Sequence, residues 1–197
     1  MANRKTLSFA DNRDGDDSLM ALVANGDSQA YESVVNAHLG RVVAVGRKML
    51  GNHAAADDLA QDVMLKLWHH APKWQPGRAR ISTWLYRVTS NLAIDRIRAN
   101  RTSQLDEDWD MPEQATQLQN LEEQALRQRV DRALQHLPER QRLALVLFHY
   151  QGLTMTETAE AMESSVEAVQ SLLARARAGL KKMLAREWRS LLPDPVD

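Results

Sequence analysis

The chain has 197 residues, 44% of them hydrophobic, enough for one large or two small packed domains and too much for wholesale disorder. It has no cysteine, which excludes disulfide scaffolds, thiolate zinc sites and cysteine nucleophiles and fits a reducing compartment. The net charge of −1 conceals a pattern: residues 41–101 hold 11 basic and 4 acidic side chains, net +7, whereas residues 102–139 hold 3 and 9, net −6. A basic block inside a near-neutral chain points to a polyanion contact on one face.

Residues 1–17 are polar and acidic without periodicity and read as a loose leader. They contain no signal-peptide core, and no later run reaches the apolar length of a membrane span, so a soluble cytoplasmic protein is expected. Residues 18–23 read as a short helix ending at Asn25-Gly26. Asp27 caps the next, with Ala30, Tyr31, Val34, Val35 and His38 on one face. Gly40 interrupts it weakly, and Val42, Val43, Val45, Met49 and Leu50 continue to Gly51. Residues 54–70 form a strong amphipathic helix. Leu59, Ala60, Val63, Met64, Leu67 and Trp68 point inward, and Asp57, Asp58, Gln61, Asp62 and Lys66 point outward, with an Asp62–Lys66 pair expected.

Two prolines and a glycine then break the chain over residues 71–80, a loop carrying Lys73, Trp74, Arg78 and Arg80. Ser82 or Thr83 is expected to cap the helix that follows, to residue 101. Trp84, Leu85, Val88, Leu92, Ile94 and Ile97 are its apolar contacts, and Arg87, Asn91, Arg96, Arg98 and Arg101 its polar, mostly cationic surface. Aromatic rings among cations suit single-stranded nucleic acid, because a stacked base is worth about 1–3 kcal/mol and the cations hold phosphates. The alternative is that Trp84 is core and the arginines are merely solvated.

Residues 102–120 are acidic and weakly periodic, a linker between domains. Residues 121–137 are helical, and Pro138 opens another helix with Leu143, Val146, Leu147 and Tyr150 inward. Residues 156–162 form a short helix, and Glu163-Ser164-Ser165 a turn. Ser165 caps a second helix whose stripe is Val169, Leu172, Leu173, Ala176 and Leu180. This is the layout of a helix-turn-helix, or equally of a helical hairpin in a bundle. The tail after Trp188 reads as frayed. Six histidines lack paired metal-ligand spacing, and neither a phosphate loop nor a nucleophile elbow occurs. No enzyme activity, cofactor, metal or small-molecule substrate is therefore expected.

The run from Ala56 to Val63 ending in Leu67-Trp68, then Ser82-Thr83-Trp84-Leu85-Tyr86-Arg87-Val88, Asn91 and Asp95-Arg96-Ile97-Arg98, resembles the second conserved region of bacterial sigma factors. Leu137-Pro138-Glu139-Arg140-Gln141-Arg142 and the later Ala174-Arg175-Ala176-Arg177 resemble the fourth. With only a short linker between them, the chain resembles the extracytoplasmic-function (ECF) group.

The resemblance implies an all-α protein of two helical domains joined by an acidic linker. Its parts would be a leader (1–17), region 2 (18–101), linker (102–120), region 4 (121–190) and tail (191–197). It implies that Asp57, Asp58, Gln61, Asp62 and Lys66 dock on core RNA polymerase. The minus-ten promoter element would meet Lys73, Trp74, Arg78, Arg80, Ser82, Thr83, Trp84, Arg87, Asn91, Arg96, Arg98 and Arg101. The minus-thirty-five element would meet Thr154, Ser164, Ser165, Val166, Glu167, Ala168, Gln170, Ser171, Arg175 and Arg177. The linker would follow the path of nascent RNA through the polymerase. An anti-sigma protein would cover the binding faces, using exposed apolar positions around Val34, Leu59 and Leu143.

The recognition helix departs from the family pattern: Glu167 to Leu172 stand where two cations are common, which should weaken its phosphate contribution. Glu167 suits a cytosine amino group and Gln170 an adenine, or Glu167 serves only the helix dipole. A stand-alone helix-turn-helix regulator is the alternative function, and it leaves the tryptophan-rich basic segment unexplained.

Overall fold

Side chains spaced for helices produce helices throughout: among the described residues the protein contains no strand. The computed structural model describes residues 13–103 and 121–190, with side chains over residues 15–100 and 126–185. Most of the expected leader and linker, the tail, and the side chain of Arg101 lie outside these residues. No described helix is long and apolar enough to cross a membrane.

The N-terminal half is built from α1 (Arg13–Ala24), α2 (Ser28–Leu50), α3 (His53–His70), a 3-10 turn (Ala71–Lys73) and α4 (Ile81–Ser103). The leader, expected to run through residue 17, gives way to helix at Arg13. Asp27 caps α2 as its sequence position suggests, its carboxylate accepting from the amides of Gln29 (2.9 Å) and Ala30 (3.0 Å). Gly40 does not interrupt; α2 runs 23 residues to Gly51, whose φ of 69° closes the helix in a left-handed cap. Gly46 permits a close crossing with α3, since a Cβ there would lie 3.1 Å from that of Ala56. Met20, Val23, Val34, Val42, Val63, Leu67, Ile81, Trp84 and Leu85 form the core. At about 25 cal/mol per Å² of apolar surface removed from water, each of its larger members contributes about 2 kcal/mol.

The C-terminal half comprises α5 (Leu121–Gln135), α6 (Glu139–Leu145) running into a π turn (Val146–Tyr150), α7 (Met155–Ala161) and α8 (Val166–Ser190). Its core joins Leu134, Leu137, Leu143, Leu147, Ala159, Met162, Val169, Leu173 and Ala176. Ser165 caps α8 by accepting from Ala168 N–H at 3.2 Å. Tyr150, expected inward, is instead 42% exposed, with the Lys48 ammonium 4.9 Å above its ring.

The two halves are not held apart. Val45, Met49, Leu59, Tyr86 and Ala93 of the first half belong to the same buried cluster as the second half's core. Val34 (0% exposed), Leu59 (0%) and Leu143 (1%), expected to offer apolar surface to a partner, are therefore buried. Val34 lies in the first core, while Leu59 and Leu143 are consumed at the joint between halves. Polar groups complete that joint. The last carbonyls of α2 have no partner within the helix. Gln135 donates to Lys48 O (2.9 Å) and the buried Arg142 to Met49 O (2.5 Å). Lys48 meets Asp131 at 2.5 Å, and Tyr86 Oη donates to Gln151 at 3.3 Å.

Candidate nucleic-acid interface

Three surfaces carry the expected site residues. On α3, Asp57, Asp58, Gln61, Asp62 and Lys66 are all exposed around Leu65, itself 56% exposed. An exposed leucine among charges is what a docking face offers. The partner taken by Asp62 is Arg96 of α4 at 2.5 Å, and Arg96 also donates to Ala55 O at 2.9 Å. Arg96 thus ties α4 to α3. Asp57 meets Arg47 at 3.8 Å.

The second surface is the loop and α4. Lys73 and Arg78 are exposed, while Trp74 and Arg80 are half-buried. Arg78 donates to the side chain of Gln75 at 2.6 Å. Ser82 and Thr83 were expected to cap α4; the acceptor for Ile81 N–H is instead Asp16 of α1, at 2.9 Å. The two hydroxyl residues instead line a cleft, open to solvent, with Arg80, Tyr86 and the segment Gln151, Gly152, Leu153 and Glu157. Trp84 is 7% exposed and its ring stacks on His70 at 4.9 Å, so it is core here and shows no face to a base.

Arg87 and Arg98 stand eleven residues apart, about three helical turns, and share one face of α4 with the exposed Asn91. Both arginines meet acids of the other half: Arg87 with Glu163 at 3.6 Å and Arg98 with Glu139 at 3.2 Å. Carboxylates of the C-terminal half therefore sit along this basic stripe.

The third surface is α8. Val169, Leu173 and Ala176 are buried, and Glu167, Ala168, Gln170, Ser171, Ala174, Arg175 and Arg177 are exposed. This division leaves one face of α8 open to solvent. Thr154 and Glu157 form a capping box at the start of α7, each side chain taking the other's backbone N–H. Ser164 and Val166 are half-buried in the turn, where Glu163 adopts φ 47°. The Glu167 carboxyl is held below its ordinary value by its own backbone N–H and then by the Ser165 hydroxyl. That favours its service to the helix end. Arg177 contacts His149 at 3.2 Å, and Arg175 donates to Ser171 O.

Reasoning from sequence missed Asp16, Asp17, Glu139, Glu163, Gln135 and Arg142. Asp16 and Asp17 bond to partners 57 to 65 residues downstream, which local spacing does not signal. The others act across the joint.

Two histidines of the N-terminal half have lowered pKa values. Burial lowers the pKa of His38, with Arg41 adding to the effect and Asp16 opposing it. Burial, then Arg87 and Lys73, lowers that of His70. A lowered folded-state value means that the unfolded chain binds protons more readily, so this stability is complete above about pH 6.5 and drains as pH falls through the lower folded values. The melting temperature is expected to fall between pH 7.5 and 5.5, and His38→Gln to flatten that slope. An unchanged slope would remove His38 from the account.

The sigma-70 region 2 family model matches residues 34–102, and the sigma-70 region 4 model matches residues 127–180. The chain is 31% identical over 172 residues to the ECF RNA polymerase sigma factor SigM of Mycobacterium tuberculosis, covering 86% of this chain and 84% of the relative. It is 28% identical over 179 residues to SigW of Bacillus subtilis, covering 82% and 92%. Among solved structures, CnrH in complex with the cytosolic domain of CnrY superposes with a TM-score of 0.65 at 27% identity, over 87% of this chain and 97% of that one. The sigma factor RpoE of Bartonella quintana, solved with the anti-sigma factor NepR, shares the fold at a TM-score of 0.65 and 21% identity, over 79% and 96%. The chain belongs to the ECF RNA polymerase sigma factors, non-enzymatic subunits that direct transcription initiation to particular promoters.

Proposed function

We propose that the exposed face of α3, from Asp57 to Lys66 around Leu65, docks on core RNA polymerase, and that two separate DNA surfaces then act on one promoter. The loop over residues 73–80, with Ser82, Thr83, Arg87, Asn91 and Arg98, grips the melted minus-ten strand. Helix α8 reads the closed duplex at minus thirty-five through Gln170, Ser171 and Arg175. The acidic segment 102–120 tethers the two, and the protein works in the cytoplasm beside polymerase and DNA. What supports this most is the clean division of α8, with Val169, Leu173 and Ala176 buried and the opposite face open.

Scale forces a conformational change. The two elements lie about 25 base pairs apart, about 85 Å of duplex at 3.4 Å per pair. A globule of about 170 residues has a radius of gyration of about 15 Å and a diameter of about 40 Å. The closed chain cannot reach both elements, so the halves separate on polymerase. In the closed state, Glu139 and Glu163 hold the arginines meant for phosphate. An anti-sigma partner that captures this state keeps the factor silent; CnrH was solved with the cytosolic domain of CnrY bound.

Core polymerase supplied with this chain and a randomised promoter library is expected to yield transcripts with a defined start. Folded protein that yields none sinks the reading. Tight binding to a duplex without core polymerase would favour a stand-alone regulator instead.

A further inference from the structure

The loop that would capture the melted strand has little backbone hydrogen bonding of its own. Trp74 N–H donates to Ala71 O at 3.0 Å and Arg78 N–H to Gln75 O at 3.3 Å. Gly77 has φ 75°, and prolines precede and follow Trp74. Such a segment has no repeating ladder to fix it.

What fixes it comes from far upstream. One carboxylate oxygen of Asp17 in α1 accepts the indole Nε1–H of Trp74 at 2.8 Å; the other accepts Gly77 N–H at 2.8 Å. Asp16 accepts Ile81 N–H at 2.9 Å, so α1 provides the N-cap of α4 across 65 residues. Bonds from N–H to a carboxylate are the stronger kind. Two adjacent acids thus clamp the loop at the Trp74 ring near its start, at Gly77 in its middle and at Ile81 just past its end.

We propose that Asp16 and Asp17 are positioning residues for promoter melting: they pre-order the loop so that Lys73, Arg78, Ser82 and Thr83 form one surface before DNA arrives. The inference rests on the assignment of this loop to the minus-ten strand. A loop ordered in advance spares the binding step the entropy of ordering it. Charge alone argues the opposite way. Two carboxylates beside a polyanion site repel it, so removing one should tighten binding if electrostatics dominates. The clamp and the charge predict opposite signs, which makes the experiment decisive.

Wild-type holoenzyme first selects a promoter from a randomised library, and an oligonucleotide carrying its minus-ten strand then serves as the probe. With Asp17→Ala, affinity for this single strand and permanganate reactivity of the melted bases are expected to fall about tenfold. Affinity for core polymerase and for the minus-thirty-five duplex stays within about twofold, which a merely unfolded factor would not allow. Asp17→Asn keeps the shape but only one acceptor, and is expected to fall about threefold; it serves as the test if Asp17→Ala does not fold. Asp16→Asn, still a good cap, should behave as wild type where Asp16→Ala does not. Of the five indole N–H resonances, Asp17→Ala should move the one that Trp74→Phe removes. Strand binding that is unchanged or tighter in the Asp17 variants overturns the proposal. If the wild type selects no promoter, the loop's assignment fails instead, while the indole shift still reports on the clamp.

Discussion

A factor locked shut is expected to lose transcription in proportion to the locked fraction. The native chain has no cysteine, so Lys48→Cys with Asp131→Cys gives a single addressable pair across the joint, where the native side chains meet at 2.5 Å. Neither residue belongs to the proposed polymerase or DNA surfaces. A short, cleavable bismaleimide should therefore trap the closed state without touching the reading surfaces. Removing the native ion pair itself costs little, about 0–1 kcal/mol, because both partners are partly exposed. The uncrosslinked variant should accordingly transcribe as wild type. The joint's main adhesion is apolar, from Val45, Met49, Leu59 and Tyr86 against the second core, at about 25 cal/mol per Å² buried. Separation in the absence of polymerase is thus uphill, and core binding must offset it. With the link closed, residual activity should track the unlinked fraction; with the link cleaved, it should return. A linked factor that transcribes at the unlinked rate would show that the halves need not part for initiation.

What could be read from the sequence is what the chain decides locally. The stripe of α8, the caps at Asp27 and Ser165, and the outward carboxylates of α3 all rest on neighbours within one or two turns, and each stands as the spacing implied. What could not be read depends on distant partners. Arg142 looks like any surface cation in Arg140-Gln141-Arg142, yet it is 6% exposed and reaches a carbonyl 93 residues away. Ser82 and Thr83 are plausible caps until Asp16, 65 residues upstream, takes that place. Val34, Leu59 and Leu143 could be assigned to an inward face but not to a particular core, because periodicity says which side is apolar and not what covers it. The charge blocks pointed to a basic DNA face, but nothing in them revealed that Glu139 and Glu163 would fold back onto it.

Arg142→Ala is expected to be the most damaging single change away from the reading surfaces. One guanidinium serves both halves: it donates to Met49 O at the end of α2, and to Gln135 O, Leu137 O (3.2 Å) and Gln135 Oε1 (2.6 Å) at the α5–α6 corner. Truncation leaves two buried backbone carbonyls, Met49 O and Leu137 O, and the part-buried Gln135 O short of a donor. At about 1–3 kcal/mol for each unsatisfied group, with partial relaxation, the net loss is about 3 kcal/mol. For a chain of this size that is a fall of about 6–12 °C in melting temperature, measured by calorimetry or circular dichroism. Lysine should recover less than half of it, because one ammonium cannot span the fork that the guanidinium fills. Methionine restores bulk without donors and should resemble alanine. The same variant separates the two duties of this residue. If the bond to Met49 O is the main one, Arg142→Ala opens the joint while the isolated C-terminal core stays cooperative, and crosslinking between positions 48 and 131 becomes slow. If the corner bonds dominate, the C-terminal half melts early while crosslinking before that melt proceeds at the normal rate. A melting temperature within about 2 °C of the wild type, a shift worth under about 1 kcal/mol, would mean that this buried cation holds nothing together.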